Sequence, residues 1–189
     1  MSTRTQRVTP LLDLSPRRLR ERLSDGYPVD RLALRDRAYR GVSLGLPSLV
    51  ERLTWKTFQK VFHFDPDRAV LRGWNVRLRQ TGIDGPPEPK RRRGVPVTFG
   101  HYRVVDPGER LPKDVRRGLL IDYGLGSNRR TDPVRFLRDP IVALEEHDST
   151  FLLGCSFVEI GRHTVATPSY FALIDEGPLT HVVPADAPG

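Results

Sequence analysis

From Asp65 onward, apolar and polar residues alternate with a period of two. Val70, Trp74, Val76 and Leu78 interleave with Leu71, Gly73, Asn75, Arg77 and Arg79, the pattern of a half-buried strand. Comparable runs cover residues 95–105, 117–123, 134–144, 150–160 and 164–174, and turn residues such as Asp106-Pro107-Gly108 and Gly161-Arg162 bound them. These six runs follow one another with no helix long enough for a parallel crossover. Consecutive strands on short connections pair antiparallel as a meander, and closure into a barrel hides the edges. The pattern therefore predicts a mainly β chain: an antiparallel β-barrel of six or more strands.

Upstream the spacing turns helical. Ser15-Pro16 offers an N-cap hydroxyl and a first-turn proline, Leu19 and Leu23 share one face, and Gly26 ends the helix. Asp30 caps a short turn through Leu34. In SLVERLTWKTFQKVF, residues 48–62, Leu49, Val50, Leu53, Phe58, Val61 and Phe62 recur at helical spacing, with Lys56 and Lys60 one turn apart. This predicts the longest helix, lying across one barrel end or lining its mouth. The expected organisation is a disordered basic tail over 1–14 and a helical segment over 15–64 that packs on or caps the barrel. The barrel itself spans 65–176, followed by a C-terminal tail over 177–189.

Composition narrows the class. Hydrophobic residues make up 38% and charged residues 29%, and no apolar run is long enough to cross a bilayer, so no membrane insertion is expected. The single cysteine, Cys155, excludes an internal disulfide, and the N-terminus carries no apolar signal core. Both point to a cytoplasmic protein. Of the net charge of +8, residues 1–40 supply +5, with ten arginines against five acids. A second basic knot, Lys90 to Arg93, lies in the loop TGIDGPPEPKRRRG and reads as a solvated hairpin. The charge marks ends and loops rather than a groove, which argues against nucleic acid as the partner.

The stretch GLLIDYGLGSN (118–128) resembles a strand opening into a phosphate-binding glycine loop. A dinucleotide fingerprint needs a third glycine where Arg129 stands and then a helix, but Thr131-Asp132-Pro133 leads into another strand. The glycines read instead as a left-handed turn or a bulge at a barrel rim. Gly154-Cys155-Ser156 lacks the closing glycine of a nucleophile elbow, and Cys155 shares parity with Leu153 and Phe157, as a small core residue would.

Candidate chemistry is sparse. His101 shares parity with Val97 and Phe99, which predicts an inward imidazole open to haem ligation, general-base work or a hydrogen-bonded core role. Apart from that haem option no cofactor is expected, and no histidine spacing suggests a metal site. Asp122 either faces solvent or is a carboxylate held inside the barrel, where its pKa would rise; Arg138-Asp139 offers a charge partner and an Arg–Asp structural clamp. With Tyr170, these are the candidate acid–base groups. The aromatic set is broader: Trp55, Phe58, Phe62, Trp74, Phe99, Tyr123, Phe157 and Phe171 could line a cavity. Polar anchors would be Lys56, Asn75, His101, Asn128, Arg138 and Tyr170.

The residue order YRGVSLGLPSLVERLTWKTF, then LLIDYGLGSN, DPIVALEEHDSTFLLG and TPSYFALI, resembles uncharacterised bacterial calycin-like proteins carrying a GXWXG-type segment. Tyr39 and Gly41 stand in the W-x-G positions, and Trp55-Lys56-Thr57-Phe58 replaces W-x-G-K-x-F. Asp122-Tyr123, Arg138-Asp139, Leu153-Gly154 and Tyr170-Phe171 match the later elements, so the likeness covers residues 37–175. The first tryptophan and the glycine before the lysine are absent. The resemblance implies a lipocalin-like barrel that holds a hydrophobic small molecule, and it brings no established reaction.

The sequence thus points to a barrel that binds a small hydrophobic or amphipathic molecule. One alternative is a barrel enzyme, of cyclase, isomerase or decarboxylase type, using His101, Asp122 or Tyr170. Another is a nucleic-acid binder or protein-interaction module using its Arg-rich N-terminus. The sequence leaves the oligomeric state open.

Overall fold

The structure is a computed structural model that describes residues 3–45, 57–108, 115, 117–161 and 163–185. After two helices, α1 (Arg4–Leu12) and α2 (Pro16–Ser24), come β1 (Arg37–Leu44), β2 (Thr57–Asp65) and β3 (Val70–Arg77). A two-residue ladder, β4 (Arg91–Arg92) with β5 (Val95–Pro96), forms the tip of the next connection. Then follow β6 (Thr98–Val105), β7 (Leu119–Asp122), β8 (Leu137–Glu145), β9 (Asp148–Ile160) and β10 (His163–Pro178). Eight of these strands close in the order β1-β2-β3-β6-β7-β8-β9-β10, and β10 pairs back onto β1. Every pairing is antiparallel. The antiparallel barrel with a helical N-terminus expected from the alternation is the fold that forms.

The first third of the chain departs from expectation. Of the helix predicted over 48–62, residues 57–62 belong to β2, and 48–56 lie outside the described residues. The helical spacing of Phe58, Val61 and Phe62 conceals a period of two, in which Phe58, Lys60 and Phe62 face one way and Val61 the other. Partnership on both edges decides the matter, because β2 is hydrogen-bonded between β1 and β3 and the barrel would stay open without it. Strand β1 also lies inside the segment expected to be helical. The expected disordered tail contains α1, whose Thr3 hydroxyl accepts from the Gln6 amide while the Gln6 side chain accepts from the Thr3 amide. Val8 and Leu11 are its buried face.

Three apolar sets surround the strands. Val8, Leu11, Leu19 and Leu23 cover the outer face of β1, β8, β9 and β10, meeting Val42, Val142, Leu153, Cys155 and Ala172. The segment after β10 lays Leu179 and Val183 over Val61, Trp74 and Val76 on the opposite outer face. The interior is packed with Leu34, Tyr39, Phe62, Leu71, Val104, Leu152 and Leu173. Arg40, outward on β1 and fully buried, ties these coverings together. Its Nε donates to Glu176 Oε1 at 2.9 Å and its Nη2 to the Gly85 carbonyl at 2.9 Å, while Arg4 of α1 reaches the same Glu176 at 3.4 Å. Among the described residues no helix is long and apolar enough to cross a membrane.

Because α2 is held on the barrel by Leu19 and Leu23, Leu23→Ala should cost about 2–5 kcal/mol in urea-monitored unfolding. Leu32→Ala, at a position 63% exposed, should stay within about 0.5 kcal/mol of the parent.

Candidate functional site

Inward-facing positions of β1, β2, β3, β6, β8, β9 and β10 leave part of the barrel interior open. The cavity measures about 290 Å³, and its walls include Phe58, Phe99 and Phe171. Three cross-strand pairs explain why bulky rings leave a void. Gly41 is opposite Phe58, Gly73 opposite Tyr102, and Gly154 opposite Phe171. At each glycine an added Cβ would fall 2.3–2.5 Å from an atom of the facing ring, so the ring lies flat over backbone instead of projecting inward.

The charged part of the cavity comes from two strands and the turn after β7. Lys60 on β2, Tyr123 just after β7 and Asp139 on β8 all line it. Lys60 Nζ donates to Tyr123 Oη at 2.7 Å, and Tyr123 Oη donates to Asp139 Oδ2 at 2.8 Å. Lys60 Nζ stands 3.5 Å from the same Asp139 oxygen. The three groups are buried, Lys60 with 1% of its side chain exposed and Asp139 with 3%. Ring centroids of Tyr102, Tyr123, Phe171 and Phe58 lie 4.8, 5.2, 5.2 and 5.9 Å from the Lys60 nitrogen, presenting aromatic faces to its charge. Asp139 Oδ1 completes no hydrogen bond among the described residues, although the nearby Ser156 hydroxyl favours the charged carboxylate.

Burial dominates the ionisation of this cluster. It lowers Lys60 to about 8, against the upward pull of Asp139. It raises Asp139 above the usual carboxylate range, against Lys60, Tyr123 and Ser156. Tyr123 and Tyr102 are raised well above an ordinary phenol, first by burial and then by the Asp139 charge. The lysine and the aspartate are thus both pushed toward their neutral forms.

The structure sorts the sequence candidates into inside and outside. Tyr123 and Asn75 face the cavity; Asn75 also donates to the Gly100 carbonyl at 3.2 Å. Tyr170 touches the cavity, but it belongs to the outer layer beneath the helices. Asp122 faces out, where its cross-strand partner Arg138 reaches it at 3.2 Å and also holds Glu159 at 2.8 Å. The Arg138–Asp122 pair is the structural clamp, so neither residue serves the cavity. Trp74 is outward too, under Leu179 and Val183. Trp55 and Lys56 lie outside the described residues. Of the remaining aromatic set, Phe62 is interior core and Phe157 is outer layer.

His101 does not point inward. Gly100, at φ +54, sits in a bulge where two steps of β3, Gly73 to Asn75, lie opposite three steps of β6, Phe99 to Tyr102. The extra residue keeps Phe99 and Tyr102 inside and turns His101 out. Its Nε2 is buried without a hydrogen-bond partner among the described residues, facing a cleft of about 90 Å³ between Arg72, Arg103 and Ser127. Burial and then Arg72 lower its pKa. Asn128 is a brace rather than a ligand contact. Its side chain accepts from the His101 amide at 2.9 Å and donates to the carbonyls of His101 at 2.7 Å and Tyr123 at 2.8 Å. The glycines before it serve close approach and not a left-handed turn. Gly126 has φ −89, and a Cβ there would fall 1.9 Å from the His101 carbonyl oxygen.

Sequence reasoning missed Lys60 as a site residue and left Asp139 as a charge partner only. One signal was available: Phe58, Lys60, Phe62 and Phe64 alternate through β2, placing a lysine among inward aromatics. Compared with known protein families, curated proteins and solved structures, the chain matches none.

Two outcomes follow from the buried pair. Lys60→Met should destabilise by about 3–5 kcal/mol, because it strands the Asp139 charge, and Lys60→Met/Asp139→Leu should recover most of that loss. The folded pKa of Lys60 lies below its unfolded value, so the contribution of this group to stability is lost as pH falls through about 8. The stability of the parent relative to Lys60→Met should therefore rise by about 1 kcal/mol between about pH 7 and 9 in urea titrations. A flat difference would contradict the assignment.

Proposed function

We propose that the barrel binds a small amphipathic molecule in its interior. The apolar body would lie against Phe58, Phe99 and Phe171, and the polar end would point at Lys60, Tyr123 and Asp139. The observation that carries this reading is the union, in one cavity, of aromatic walls with a charged cluster that the fold does not need for closure. Residues buried purely for packing would be apolar, since a buried ion pair stabilises a fold no better than hydrophobic side chains of similar size. The cavity, at about 290 Å³, lies at the lower edge of the roughly 300–1,000 Å³ common for small-molecule pockets. That favours a compact ligand, such as a mono- or bicyclic terpenoid or an aromatic compound.

Haem does not enter the proposal, because His101 faces away from the cavity and no described histidine lines it. The N-terminal arginines support it indirectly, since several are engaged on the protein itself. Arg7 pairs with Asp148 at 3.1 Å, Arg17 and Arg18 with Glu21 at 3.0 and 2.9 Å, and Arg20 lies over the Phe157 ring.

A panel of compact alcohols, phenols and terpenoids tests the reading through melting temperature and calorimetric titration. At least one compound should bind, and at a hundredfold excess over its Kd it should add about 2.7 kcal/mol of stability. Ser156→Trp or Ser169→Phe, which fill the cavity, should abolish binding while far-ultraviolet circular dichroism stays unchanged. Trp74 fluorescence should not report binding, since that ring lies outside the barrel. A panel without a single binder, or binders unaffected by either cavity-filling variant, would remove the proposal.

A further inference from the structure

We propose that Lys60 captures carbonyl compounds: the barrel takes an aldehyde or ketone and holds it as a Schiff base on Lys60 Nζ, with Tyr123 and Asp139 moving the protons. The inference rests on the ligand-binding reading of the same cavity and names the class of ligand.

The direction of the hydrogen bonds carries the argument. Lys60 donates to Tyr123 and Tyr123 donates to Asp139, so the chain already points from ammonium to carboxylate. One concerted shift passes the Lys60 proton to Tyr123 and the Tyr123 proton to Asp139. It leaves a neutral amine, an unchanged phenol and a neutral carboxylic acid, with no charge created in the buried site. The amine lone pair then attacks the carbonyl carbon, and the new N–C bond gives a carbinolamine after proton transfer from nitrogen to oxygen. The carbinolamine hydroxyl has an acceptor waiting in Asp139 Oδ1, which completes no hydrogen bond among the described residues. Asp139 returns its proton to that hydroxyl as the C–O bond breaks, and water departs. The product is a protonated imine facing the restored carboxylate. Carbonyl and amine become imine and water, with no oxidant or reductant required.

The environment suits this step in two further ways. Burial lowers Lys60 to about 8, so about one amine in ten is free at pH 7, against fewer than about one in a thousand for an ordinary exposed lysine. The rings of Tyr102, Phe58 and Phe171 form an apolar surround in which a hydrophobic carbonyl compound can be held near the nitrogen. The charge count also separates carbonyl compounds from carboxylate ligands. Asp139 already balances Lys60 at 3.5 Å, so an entering carboxylate would add a second buried negative charge against one positive charge. A neutral carbonyl adds none.

The chain has four lysines, Lys56, Lys60, Lys90 and Lys113, and Lys90 is exposed, which gives an internal reference. The full chain is incubated at neutral pH with cinnamaldehyde under sodium cyanoborohydride and then mapped by mass spectrometry. Lys60 should be alkylated at least tenfold faster than Lys90. Ser156→Trp should remove that preference, and so should Lys60→Arg. Tyr123→Phe should slow the labelling of Lys60 at least tenfold, while cinnamyl alcohol, which cannot form an imine, should still raise the melting temperature of that variant. Labelling of Lys60 no faster than Lys90 overturns the inference. If cinnamyl alcohol still binds in a cavity-dependent way, only the covalent step falls; if nothing binds, the pocket reading falls with it.

Discussion

A lysine ammonium inside a closed barrel is the constraint around which this structure is organised. Lys60, whose side chain is 1% exposed, has lost nearly all contact with bulk water, so the protein must supply substitutes. It does so from around the barrel: a phenol after β7, a carboxylate from β8 and aromatic faces from β2, β6 and β10. The barrel must be closed for all of these groups to meet. A sheet left open between β1 and β10 would admit water to the nitrogen.

Outer and inner layers divide the work. The outer layer holds helices and tail to the strands through leucine and valine contacts and the Arg40–Glu176 pair, while the Arg138–Asp122 clamp ties β7 to β8. Charges there meet partners across strands or from the covering segments. The inner layer is ordinary packing over much of its length and turns polar only at the cavity. Tyr123 joins the two layers. Its hydroxyl belongs to the buried cluster, while its carbonyl is gripped by Asn128, which also fixes the His101 backbone. A loop at the surface thereby sets the position of a phenol in the interior.

Much of the barrel was legible in the chain because alternation is a strong signal where one face of a strand is buried. β3 and the strands from β6 to β10 all announce themselves this way. β1 does not, because its outward Arg40 is buried by a loop and a helix that cannot be read locally, and its inward Gly41 carries no side chain. β2 was read at the wrong period, and the error hid Lys60. His101 was assigned to the wrong face because parity counting assumes an unbroken strand, and the bulge at Gly100 adds one residue. In the Asp122-Tyr123 pair, alternation required one side chain inside and one outside. Only the register with Arg138 and Asp139 shows which is which. Asn128 looked like a polar anchor and is a brace, since backbone partners far along the chain leave no mark on the sequence around it.

The flat rings over Gly41, Gly73 and Gly154 have a consequence for how such a barrel can diversify. At Gly41 and Gly154 the bore of the barrel depends on a missing methyl group. Adding one carbon at Gly41 or Gly154 must move the facing ring off the wall, because its atoms stand 2.3–2.4 Å from where that carbon would go, whereas at Gly73 the carbon would meet the Val61 carbonyl oxygen at 2.0 Å. Gly41 and Gly154 therefore act as adjusting screws on the shape of molecule admitted, since their facing rings Phe58 and Phe171 line the cavity, and neither glycine belongs to the hydrogen-bonded cluster at Lys60. Selection could retune what the barrel accepts in single-carbon steps without replacing any member of the Lys60, Tyr123 and Asp139 hydrogen-bonded set.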